Sequence, residues 1–212
     1  MASLRIDQSG QAYPGAALRS LVLASGSPRR RELLEGLGLR FAIRATDVDE
    51  TPRPGEAPDA YVLRLAREKA QAAGRADELV LAADTTVVVD GEILGKPRDD
   101  ADAKRMLHRL AGHEHEVLTG VAVLDVTEPS RGRIATGFER SVVRMAPLTT
   151  KEVAWYAATG EPRDKSGAYA IQGLGSLFVE AIFGNYTNIV GLPIPTVYRL
   201  FAELGYDLKA LR

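Results

Sequence analysis

The 212-residue chain has no cysteine. That excludes disulfides, thiolate metal centres and cysteine nucleophiles. An excess of one charge is also missing: 27 Lys and Arg stand against 28 Asp and Glu, for a formal net charge of -1. Without a global basic field, stable nucleic-acid or membrane partners are not expected, and any anion site must be local. Aromatic residues make up only 6% of the chain, which leaves little material for base-stacking platforms. No apolar run is long enough to cross a bilayer. The first 20 residues, with Asp7, Gln8, Ser9, Gln11 and Pro14, lack the apolar core of a signal peptide. They read as a flexible N-terminal extension ahead of one domain over residues 21–212, and cytoplasm is the default location. There are no internal repeats, low-complexity tracts or obvious linkers. The chain is long enough for a substantial core.

What is present concentrates first in Leu21–Arg31. Leu21 to Ala24 is a short apolar run suited to a buried strand. Ser27 is a natural N-cap, and Pro28 fits the first helical position, where its missing N–H is no loss. Leu33, Leu34 and Leu37 follow at helical spacing, and Gly36 and Gly38 supply stop signals. Free N–H groups at a helix start favour an anion, and Arg29 and Arg30 add fixed positive charge there. Two readings stand: a phosphate-binding turn, or an N-capped surface helix with solvated arginines.

Further along, Thr51 to Pro58 is a Pro-rich loop, mobile by composition. A helix is predicted over about 59–73. Leu79–Ala83 and Thr85–Val89 are strand-forming runs, and Asp90-Gly91 is a hairpin turn returning through Ile93 and Leu94. A helix is predicted over 100–110, and strands over 117–126 and 134–145. Thr149 with Glu152 makes a capping box before a helix ending near Gly160. Residues 161–192 read as loops around a strand from Ser176 to Phe183, and 195–204 as a terminal helix. This order predicts an α/β fold with a mixed twisted sheet, flanking helices and two lobes around a cleft, rather than regular βαβ winding.

Several residues break the local pattern. Tyr61, Val62, Leu65, Ala66, Ala72 and Ala73 share one helical face, and Lys69 falls in its middle. An inward lysine needs a partner, a pocket, or a route past small alanines to solvent. Asp84 separates two strand-forming runs, although Asp is a poor strand residue. It either caps a bend or faces a cleft. Lys96 follows the hairpin. Together with Arg29, Arg30 and Lys69, these residues suit a phosphate ester and its metal. Asp49-Glu50, expected at the end of a strand through Val48, offers carboxylates of the kind Mg²⁺ uses, or is an ordinary acidic loop start. His113 and His115 make a weak metal argument, and a structural or surface role is expected. Ser25 and Ser27 lack the setting of a serine nucleophile. Asp164–Gly173 is a loop dense in hydrogen-bonding groups, in which Gln172 can read a base edge carrying a carbonyl and an N–H, or the segment is a Gly-rich turn.

The segments LVLASGSPRRRELL, TDVDET, LAREKA, AADTTVVVDGEILGKPRD, HEVLTGVAV and DKSGAYAIQGLGSLFVEAIFGNYTNIVGLP, in this order, resemble the Maf family of nucleoside triphosphate pyrophosphatases. The resemblance runs from Leu21 to about Leu204. It implies a two-lobed fold, often dimeric, that cleaves a nucleoside triphosphate substrate to the monophosphate and pyrophosphate with a divalent cation, Mg²⁺ or the similar Mn²⁺ or Co²⁺. DKSGAYAIQG is similar to the mark of the dTTP/UTP-preferring branch, with Ser166 where that pattern carries alanine, a change expected to be harmless. The resemblance makes Arg29, Thr85 and Gln172 specificity positions and Asp84 the proton acceptor. It puts Ser25, Arg30, Glu50, Lys69 and Lys96 at active-site positions, and Ser25 to Pro28 around a phosphate. Glu50 and Asp84 are the expected metal ligands, and Asp84 as base or as ligand remain alternatives. A purine housecleaning pyrophosphatase acting on 7-methyl-GTP or ITP, and a non-catalytic regulator of septum formation, are the competing readings.

Overall fold

The computed structural model describes residues 5–6, 12–13, 19–128 and 131–212. Most of the expected N-terminal extension lies outside the described residues. Its two short strands, β1 (Arg5–Ile6) and β2 (Ala12–Tyr13), pair antiparallel. The rest runs β3 (Ser20–Leu23), α1 (Pro28–Gly36), β4 (Phe41–Ile43), α2 (Pro58–Ala73), β5 (Glu78–Val89), β6 (Glu92–Leu94), α3 (Asp100–Leu110), β7 (Glu114–Glu128), β8 (Arg131–Met145), α4 (Thr150–Ala158), β9 (Val179–Phe183), α5 (Tyr186–Val190) and α6 (Ile194–Glu203). Short 3-10 turns occupy Glu161–Asp164, Ser166–Ala168 and Gly173–Phe178.

Seven strands form one mixed sheet in the order β4-β3-β5-β7-β8-β9, with β6 also on β5. β3 is parallel to β4 and β5, and every other pairing is antiparallel. β5 positions the site. One of its edges pairs with β7 from Glu78 to Val88. The other edge is shared: β3 takes Glu78–Leu81, and β6 takes Val87–Val89. Between these ladders the sheet forks, and a cleft opens beside Asp84 and Thr85.

Period-two alternation distributes the core. Leu79, Leu81 and Ala83 of β5 pack with Leu34 of α1 and Leu200 and Phe201 of α6. Val80 and Ala82 face the opposite side, against Ala66, Ala70 and Ala73 of α2. Past the fork, Val87 and Val89 join Leu107, Leu110, Met145 and Tyr156 in a second lobe. The predicted helices, the hairpin and the capping box are all present. Asp90 and Gly91 have φ of 51° and 77°, the paired positive values of a type I′ turn.

Of the two readings of Asp84 the bend is absent and the cleft is present, and three other expectations are corrected. β5 runs unbroken through Asp84, because an ion pair to Lys69 offsets the cost of burying the carboxylate. No strand ends at Val48: β4 stops at Ile43, and residues 44–57 form an irregular segment, which the polar, proline-containing DVDETPRP stretch favours. The strand expected from Ser176 begins at Val179, after a 3-10 turn. The loop reading of 161–192 omitted α5, one short helix capped by Asn185 and closed by Gly191 in the left-handed region. No helix among the described residues is long and apolar enough to cross a membrane.

Candidate active site

The cleft at the fork has a volume of about 530 Å³, within the range of small-molecule sites. Ser25 to Arg30, Glu50, Lys69, Asp84, Thr85 and Lys96 all line it. α1 begins there with Pro28 in its first turn and no acidic residue to offset the positive helix end. Ser27 has the extended backbone of an N-cap, but its side chain makes no capping bond. Ser25 Oγ accepts from the Ser27 N–H at 3.2 Å and from Arg30 Nη1 at 3.0 Å, so it braces the turn ahead of the helix without capping it.

Lys69 is buried, and its Nζ donates to Glu50 Oε1 and to Asp84 Oδ1, both at 2.6 Å. Two carboxylates on one ammonium satisfy a charge that would otherwise be costly at 8% exposure. Burial works against ionisation of Glu50, but the hydrogen bond and charge of Lys69, with Lys96 and Arg30 beyond, hold its carboxyl below the usual range. α2 can deliver Lys69 because Gly120 of β7, paired with Asp84, has no side chain. A Cβ there would run into the Val62 carbonyl of α2.

On the other face of β5, Arg30 is held at three points. Nε donates to the Gly191 carbonyl at 2.7 Å, Nη1 to Ser25, and Nη2 to Thr85 Oγ1 at 3.0 Å. Burial lowers the Arg30 pKa, and the charges of Asp84 and Glu50 oppose that shift. Thr85 Oγ1 lies 2.9 Å from Thr119 Oγ1, which donates to the Asn188 carbonyl at 3.0 Å. Asn188 is fully buried, and its Nδ2 donates to the Val117 carbonyl and to Ser141 Oγ. This network anchors α5, and with it Gly191, behind Arg30.

The side chains of Arg29 and Lys96 line the cleft with no hydrogen bond or ion pair to another described residue. Gln172 is exposed and does not line the cleft; its neighbour Ile171 does. Ser166 accepts from the Val87 N–H at 3.0 Å and donates to the Leu94 carbonyl at 2.5 Å, joining the β6 arm of the fork to the 3-10 segment. That segment also brings Asp164, Lys165 and Tyr169 to the wall. His115 is buried, with Nε2 2.7 Å from the Tyr169 hydroxyl, in agreement with a structural role. Sequence reasoning missed Thr119, Gly120, Asn188 and Lys165. The first two become visible only when β7 is laid against Asp84 and Thr85, and no local signal marks that pairing. Lys165 stands in a segment singled out for its polarity.

Among the described residues, no group of three or more His, Asp or Glu side chains can hold a metal. The donor set is Glu50 and Asp84, converging on one ammonium. Two carboxylates completed by substrate phosphates fit Mg²⁺, which does not need an all-protein cage.

The comparisons agree with this geometry. The Maf family profile, described as Maf-like protein, matches residues 20–204. The chain is 54% identical to a dTTP/UTP pyrophosphatase of Anaeromyxobacter sp., across 89% of this chain and 91% of that protein. It is 50% identical to a dTTP/UTP pyrophosphatase of Myxococcus xanthus, across 89% and 94%. It is 45% identical to a dTTP/UTP pyrophosphatase of Symbiobacterium thermophilum, across 90% and 97%. A profile match that takes in the α1 turn, both carboxylates, Lys69 and the α5 anchor leaves one assignment: the chain belongs to the Maf family.

Proposed function

We propose that the cleft hydrolyses dTTP and UTP to the nucleoside monophosphate and pyrophosphate, by attack of water on the α-phosphorus. One observation carries the reading: Lys69 Nζ binds Glu50 and Asp84 at the same time, beside a helix start bearing Arg29 and Arg30. The names of the relatives support the pyrimidine preference.

The triphosphate enters with several negative charges. Arg29, Arg30 and Lys96 neutralise them, and the α1 N–H groups cradle a phosphate. Charge moves onto the leaving pyrophosphate in the transition state, so preorganised cations there lower the barrier. Lys69 holds Asp84 by Oδ1. The other oxygen, Oδ2, has no hydrogen-bond partner among the described residues and takes the proton of the attacking water. Glu50, with Asp84 directly or through water, would hold a divalent ion, which would supply charge neutralisation and a more acidic water. Thr85 reads the base, whereas Gln172 lies outside the cleft lining.

The test is pyrophosphate release with Mg²⁺ across dTTP, UTP, CTP, ITP, GTP and 7-methyl-GTP, with Asp84→Ala as control. Fast dTTP and UTP turnover, lost in the variant, is the expected result. Activity confined to 7-methyl-GTP or ITP overturns the substrate reading. No activity on any of them, with several metals tried, favours a regulator instead.

A further inference from the structure

We infer that Thr119, a buried residue behind the cleft, fixes Thr85 as a hydrogen-bond acceptor toward the ligand. The cleft therefore selects a nucleobase that presents an N–H donor at that point. The inference rests on the proposed pyrimidine substrate and deepens it.

Proton counting carries the argument. A threonine hydroxyl has one proton and two lone pairs. Thr85 Oγ1 has three protein partners: Arg30 Nη2 at 3.0 Å, Thr119 Oγ1 at 2.9 Å and the Gly191 carbonyl at 3.3 Å. A guanidinium only donates, so Arg30 occupies one lone pair of Thr85. Thr119 gives its own proton to the Asn188 carbonyl at 3.0 Å. At the contact between the two hydroxyls, Thr85 must then be the donor. One lone pair of Thr85 is left for the cleft, and no proton. Suppose instead that Thr119 turned its proton to Thr85. The Asn188 carbonyl would then lose its donor, both lone pairs of Thr85 would be filled by Arg30 and Thr119, and the Thr85 proton would go to the Gly191 carbonyl, again inside the protein; the first arrangement satisfies more groups and is the one retained. Neither arrangement lets Thr85 donate to a ligand.

The position of Thr85 gives this polarity a target. Val87 and Val117 form the next cross-strand pair on the same face, and with Ala170, Ile171 and Ile189 they make an apolar wall of the cleft. Arg30 and Ser25 lie on the other side of Thr85. Thr85 therefore stands at the border between the cationic and the apolar parts of the cleft, where the polar edge of a base above the wall would fall. Uracil and thymine offer N3–H there. Cytosine offers a lone pair at N3, and two acceptors facing each other leave both unsatisfied. The discrimination concerns uracil against cytosine, since guanine and hypoxanthine also carry a ring N–H.

Thr119 contacts no ligand in this scheme; it is a positioning residue. Thr119→Val keeps its shape and removes the 2.9 Å acceptor of the Thr85 proton, leaving that proton only the longer 3.3 Å contact to the Gly191 carbonyl, for which a base acceptor in the cleft can compete. The expected result is a ratio of kcat/KM for UTP over CTP that falls by at least about tenfold, given what sites built around one hydrogen bond achieve. Thr119→Ser should keep the ratio. Binding of UMP against CMP by calorimetry supplies a readout without turnover and should change in the same direction; Thr119→Ala replaces the valine variant if that one does not fold. Equal losses for UTP and CTP, with the ratio unchanged, overturn the inference, as does a wild-type protein that binds UMP and CMP alike. If the wild type releases no pyrophosphate yet binds UMP over CMP, and Thr119→Val loses that preference, the proposed activity fails and the inference stands.

Discussion

Lys69 shows how a single residue can be recognised from its sequence position and explained only by its neighbours. A lysine on an apolar helical face is unfavourable unless something neutralises it, and here Glu50 and Asp84 share the task. The three are not equivalent. Asp84 and Lys69 are buried, while the Glu50 side chain is 47% exposed and reaches the cleft. Removing Lys69 leaves Asp84 without its cation, and removing Asp84 leaves Lys69 with a single partner at the mouth of the site. Lys69→Ala and Asp84→Ala are therefore each expected to lose turnover on the order of 10²-fold or more while remaining folded. Steady-state assays with circular dichroism on the same samples check this. Wild-type rates in either folded variant would remove that residue from the proposed mechanism. Ser166 makes a smaller point at the same scale. Where the family pattern has alanine, this chain has a hydroxyl that joins two segments across the fork.

At the scale of elements, the site depends on how closely α2 lies on the sheet. α2 crosses β7 where Gly120 leaves room for the Val62 carbonyl. The same helix, two turns later, delivers Lys69 to Asp84. Gly120→Ala forces backbone against side chain, with no flexible group able to yield. Displacing α2 is expected to cost about 2 kcal/mol or more in unfolding free energy. Turnover should fall as well, because Lys69 moves with the helix. Urea denaturation and pyrophosphate release on the same preparation test the pairing of the two effects. A destabilised variant with full turnover would show that Lys69 reaches Asp84 without this close packing. α5 plays the corresponding part on the other face. Asn188 pins it to β7 and β8, and Gly191 at its end holds Arg30.

Across the whole molecule, the two lobes share β5 and β7, and the cleft exists because the partner edge of β5 changes strands. The 3-10 segment that closes the second lobe is tied to β7 through His115 and Tyr169. Burial pushes the His115 pKa down to about 4. The sign follows from linkage. The unfolded chain takes up a proton near pH 6.5, and the folded protein resists it until about pH 4. Stability therefore falls as pH drops through this window, by up to about 3 kcal/mol, and no further below it. His115→Gln keeps a polar partner for Tyr169 without a titrating ring. Its unfolding free energy should be flatter than that of the wild type between these pH values, as chemical denaturation in a pH series would measure. Parallel curves would mean that other groups dominate acid unfolding.

Much is legible in the sequence alone. Helix limits, the Asp90-Gly91 turn and the capping box follow from local chemistry, because caps, turns and apolar periodicity act within a few residues. The two oddities, Lys69 and Asp84, were visible as local conflicts, and conflicts of that kind mark functional places. What local pattern cannot contain is which strand lies beside which. The continuity of β5 through Asp84, the bond from Arg30 to Ser25 ahead of α1, and the exposed place of Gln172 all came from tertiary contacts. The pairing of Thr119 and Gly120 with Thr85 and Asp84 spans more than 30 residues of sequence. By itself the sequence determined most helices, the hairpin turn, the charged groups and the family resemblance. The tertiary structure decided which protons and carboxylates meet, because hydrogen bonds act over about 3 Å and only folding brings distant residues that close.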